Sequence, residues 1–129
     1  MKVWRVAHSE ARYQDFPSGP YIEEGLPEKV DQNIDGMRWA HGDRSRPEPH
    51  HDASLQRILP RERCGFDSES ALYEWFKGYE ELLRENGFKV WVYEVPDDKV
   101  RVGNFGQALF DQDHLALVDS YDFKKEMVG

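Results

Sequence analysis

A partner for Cys64 is missing, since it is the single cysteine of the chain. No internal disulfide can form, and such usage suits a reducing cytoplasm. Long apolar runs are missing too. No stretch approaches the ~20 apolar residues of a membrane span. The opening Met-Lys-Val-Trp-Arg-Val lacks the apolar run of a signal peptide. Positive charge is in deficit: 17 Lys and Arg face 25 Asp and Glu, for a net charge of −8 and a pI near 5.1. That balance argues against nonspecific binding to nucleic acid or to an anionic membrane. It suits solubility and, beyond that, a basic protein partner. Internal repeats and low-complexity segments are absent.

Aromatic carbon is plentiful: four Trp, six Tyr and seven Phe among 129 residues. That fills the core of one domain, which we assign to the whole chain. The longest β-branched and aromatic run, Phe88–Val95, reads as a central strand. Val3–His8 reads as another, with Val3, Arg5 and Ala7 on one face and Trp4, Val6 and His8 on the other. Further strands are expected at Lys99–Val102 and Gln107–Phe110, a short strand or extended lead-in at Cys64–Phe66, and a final strand, with a helix as the alternative, at Leu115–Phe123. Ser9–Gly25 reads as a loop, with a turn at Ser18-Gly19-Pro20-Tyr21.

Helical spacing of Leu26, Val30, Ile34 and Met37 predicts a helix over Pro27–Asp35, weakened by Gly36 and followed by a core-capping Trp39. A second helical unit follows Asp67 or Ser68 as its cap. Leu72, Trp75 and Phe76 form its apolar face, Gly78 its weak point and Asn86-Gly87 its stop. A short turn over 52–59 is expected before Pro60. The polar stretch 41–52 reads as a loop and the tail 124–129 as frayed. The outcome is an α+β domain, a twisted and mostly antiparallel sheet with helices on one side.

Candidate functional residues are few. Arg5 sits mid-strand among apolar neighbours, so its guanidinium needs a carboxylate, carbonyl groups or an anionic ligand. Tyr21 follows a turn and suits either half-buried packing or stacking on a flat ligand. His41, His50, His51 and Asp52 invite a metal reading. Adjacent loop histidines point apart, however, and no second His/Cys motif completes a tetrahedral set, so no metal is assigned. Cys64, beside Gly65 and Phe66, reads as a small buried hydrophobe. Trp39 and Phe105, near the loops, are the aromatic anchors a binding surface would use.

Three groups of residues carry a resemblance. They are Val3-Trp4-Arg5-Val6 with Gly19-Pro20-Tyr21; Cys64-Gly65-Phe66 with Leu72 and Trp75-Phe76; and Val90–Val95 with Val100-Arg101-Val102-Gly103 and Gln107-Ala108-Leu109-Phe110. In this order, and with Pro49-His50 to Asp52, they resemble a family of small proteins of actinobacterial phages and prophages. The resemblance covers most of the chain outside Glu24–Asp43 and the tail. With that resemblance, the small size, the acidity, the cysteine usage and the lack of a complete catalytic set lead to the expectation of a phage accessory protein in the host cytoplasm that binds a host protein or a nucleotide-like molecule.

The layout also resembles, more distantly, the ADP-ribosyltransferase-like fold. That likeness implies NAD as cofactor, Arg5 on its phosphate or ribose, Tyr21 stacked on nicotinamide, and Gln107 at the catalytic position. Gln107 departs from the glutamate expected there. A carboxylate stabilises oxocarbenium charge far better than an amide. The likeness therefore implies nucleotide binding more readily than transfer, and whether the chain is an enzyme stays open between these two readings.

Overall fold

The computed structural model describes residues 1–21, 25–40, 59–103 and 106–123. The segment 41–52 with its histidines and Asp52, the turn after it, Phe105, the tail and the Trp39 side chain lie outside the described residues.

Alternation in the opening residues gives strand β1, Lys2–His8. It lies antiparallel to β5, Phe88–Glu94, from Lys2↔Glu94 to His8↔Phe88. Strand β4, Glu62–Phe66, meets the other edge of β1 at Trp4↔Phe66. Outside β4 come β7, Gln107–Asp111, and β6, Val100–Val102. Strand β8, Ala116–Tyr121, pairs with β5. The sheet order is β6-β7-β4-β1-β5-β8, with antiparallel neighbours throughout. The long β-branched run is thus interior and paired on both sides, while β4 and β1 hold the middle.

Helices cover one face. Val6, Phe66, Phe88 and Val90 of the sheet pack on Ile34 and Met37 of α1, Glu28–Ala40. The same cluster takes in Leu72, Trp75 and Phe76 at α2, Glu69–Trp75, and Leu83 of α3, Glu80–Glu85. Helix α1 runs past the expected Asp35, through Gly36, and buries Met37, which is 1% exposed. Burial of Ile34 and Met37 outweighs the ~1 kcal/mol cost of a helical glycine. Ser68 caps α2, its Oγ accepting from the Ala71 amide at 3.1 Å. Gly78, at φ +91°, divides α2 from α3 as its conformational freedom allows.

The opposite face is covered by a small hairpin, which corrects the loop expected over Ser9–Gly25. Strands β2, Arg12–Tyr13, and β3, Phe16–Pro17, pair across Gln14 and Asp15. Both turn residues have positive φ, 52° and 63°, which matches the twist of a tight hairpin without any glycine. Phe16 drops from this hairpin onto Val3, Tyr93, Val95, Ala108 and Phe110.

Candidate functional site

Strand β4 keeps one register pair with β1, whereas β5 follows β1 along its length. Beyond Trp4 the two strands part, and the chain after the hairpin enters the gap: the His8 amide donates to Ser18 O at 2.7 Å. Arg5 spans this split. Its Nη1 donates to Cys64 O at 2.7 Å and its Nη2 to Pro17 O at 3.2 Å. The guanidinium lies 5.5 Å from the Phe16 ring centre and is 5% exposed. Burial depresses its pKa, yet arginine keeps its charge. Gly19 fits because a Cβ there would stand 3.0 Å from Arg5 Nη2.

Of the three partners expected for a mid-strand arginine, backbone carbonyls are the ones observed. Two more arginines lie over rings nearby. Arg12 sits over Trp91 and Arg63 over Tyr13, and Arg63 Nη2 donates to Gln14 Oε1 at 2.6 Å. Together they pin the hairpin to the sheet.

Gln107 pairs with Phe66, and Phe66 with Trp4. Paired residues share a face, so Gln107 lies on the helix side, where it is 4% exposed. Arg5, next to Trp4, looks to the hairpin side. Tyr21 joins the helix side: its hydroxyl accepts from Trp75 Nε1 at 2.7 Å and its ring stacks on Phe76. Phe66 touches both Trp75 and Phe76. The structure therefore brings Tyr21 and Gln107 to the borders of one aromatic cluster and leaves Arg5 across the sheet. Cys64 is exposed, against the expectation of a buried hydrophobe. Among the described residues, no group of three or more His, Cys, Asp or Glu is placed to hold a metal.

A different feature stands out at the end of the sheet. Strand β8 has β5 as its one strand neighbour among the described residues. Ala116 through Asp119 are exposed, and Leu117 and Val118 are 55% and 51% exposed. Leu117 pairs with Tyr93 and shares its hairpin-side face, while a register shift at Val92/Tyr93 skips Val118; at the end of the sheet both side chains stay exposed. The Ser120 amide donates to Asp119 Oδ1 at 2.8 Å. Sequence reading found the strand and missed its exposure. The available signal was Leu115-Ala116-Leu117-Val118, four apolar residues that do not alternate, between His114 and Asp119.

A family model described as Bacteriophage T4 Y00F protein matches residues 1–124. The chain belongs to that family. The match carries the phage part of the resemblance seen in the sequence; it supports neither the actinobacterial ascription nor the ADP-ribosyltransferase likeness. No curated protein matches the chain, and no solved structure does. The family's span reaches from β1 through Phe123, whose ring closes the helix-side core against Tyr73 and Phe76. No described helix is long and apolar enough to cross a membrane.

Proposed function

We propose that this member of the family is a phage accessory protein that binds a host protein in the cytoplasm of the infected cell, without efficient catalysis of its own. The observation that carries this reading is the β8 edge. Leu117 and Val118 present apolar side chains on a terminal strand. An open strand edge is a template for pairing with another chain, and exposed apolar side chains on it add burial when it is filled. Family membership supplies the phage setting. The single cysteine suits a reducing compartment. The alternative, NAD-dependent transfer, asks Arg5 and Gln107 to share one cleft, and the strand register lends it no support.

Photo-crosslinking in host lysate tests this. A photoreactive amino acid replaces Val118 in one protein and the exposed Glu85 of α3 in another. One host protein should be captured from position 118 and not from position 85, and Leu117→Lys should abolish the capture. Equal capture from both positions, or none from either, would defeat the reading.

A further inference from the structure

We infer that the partner fills the β8 edge as an added strand, with an extended segment that carries lysine or arginine on alternate positions. This rests on the reading of β8 as the docking edge. Charge selects the occupant. From Asp111 to Asp122 the chain holds four aspartates and neither lysine nor arginine. Two of the four are already engaged: Asp113 pairs with Arg61 and Asp111 with His114. Asp119 and Asp122 are exposed and have no cationic partner among the described residues. On the same side, Glu94 and Asp97 are met by the N-terminal ammonium.

A second copy of the chain is the occupant least suited to this edge. Pairing β8 with β8 would set Asp119 of one chain beside β8 of another in a protein that carries −8 overall. A basic extended segment meets both demands at once. Its backbone fills hydrogen-bonding positions along Ala116–Val118 that no described strand occupies, and its cations lie beside Asp119, with Asp122 adding to the negative charge at that end. Alternate side chains of an added strand point to opposite faces, so apolar residues between the cations can cover Leu117 and Val118.

The test uses the full-length protein and three synthetic peptides of eight residues: one alternating lysine and valine, one alternating glutamate and valine, and the lysine peptide with alternate amides N-methylated. N-methylation removes strand pairing and leaves the charge. The lysine peptide should bind and perturb the amide resonances of Leu117, Val118 and Asp119. The N-methylated form should bind about tenfold more weakly, the loss expected of one or two backbone hydrogen bonds. The glutamate peptide should not bind, and added salt should weaken the lysine peptide.

Equal binding of the methylated peptide would leave charge attraction alone and overturn the added strand. Binding of the glutamate peptide would overturn the basic partner. Perturbation that grows with protein concentration in the absence of peptide would give the edge to a second copy. Binding that requires removal of residues 124–129 would give it to the chain's own tail. If all peptides fail while crosslinking from position 118 still captures a host protein, the docking reading stands and this inference falls.

Discussion

A guanidinium sealed among aromatic rings must still direct its donors somewhere. In Arg5, on β1, they go to Cys64 O of β4 and to Pro17 O at the end of the hairpin. Nε finds no partner among the described residues. The residue acts as a staple, and its removal should be felt as instability. Arg5→Ala strands two carbonyls and opens a cavity, so urea denaturation should show a loss of about 2–4 kcal/mol. Arg5→Lys keeps the charge and loses the planar fork, and should fall between the two. An Ala variant as stable as the parent would mean that Arg5 is kept for a ligand instead.

His8 makes a second residue-scale case. It is 8% exposed, packs edge-on to Phe88, and its Nδ1 accepts from the Glu10 and Ala11 amides. Burial holds its pKa below the ordinary 6.5. The unfolded chain therefore takes up the proton first as pH falls. Stability from the neutral ring is full above about pH 6.5 and drains away below it. Melting followed from about pH 7.5 to about pH 5.5 should fall more steeply for the parent than for His8→Asn. Parallel profiles would contradict this.

At the scale of elements, the sequence carried the strands and helices wherever local chemistry specifies them. Ser68 signals its helix by a capping hydroxyl, Gly78 its break by freedom at positive φ, and Phe88–Glu94 its strand by β-branching. The hairpin was hidden because Gln14 and Asp15 make its turn at positive φ without the usual glycine. That leaves strain which one substitution can relieve. Asp15→Gly should raise stability by about 0.5–1 kcal/mol, measured by thermal melting, since glycine enters this region freely. A lower melting point would mean that the Asp15 side chain holds the turn.

Face assignment was hidden for a different reason. Alternation tells which neighbours of Arg5 share its face, yet nothing local sets the register between β1, β4 and β7. A slip of one residue would have carried Gln107 to the hairpin side. The pairing Trp4↔Phe66↔Gln107 makes that choice, and it separates the two residues the transferase likeness joined. Exposure of Leu117 and Val118 had one signal, the lack of alternation around them, which does not by itself separate a side chain covered by a core from one left for a partner.

Over the whole molecule, helices close one face of the sheet, a hairpin pinned by arginines closes the other, and the β8 end carries exposed apolar residues in an acidic setting. The family match places this architecture in a phage protein. The most direct measurement of the docking account is hydrogen exchange of the protein, free and bound to the host protein captured from position 118. Filling the edge should slow exchange at Ala116, Leu117 and Val118 by about tenfold or more, as new backbone hydrogen bonds form. Unchanged exchange on β8, with protection gathered instead at the Arg12–Pro17 hairpin or on the helices, would contradict it.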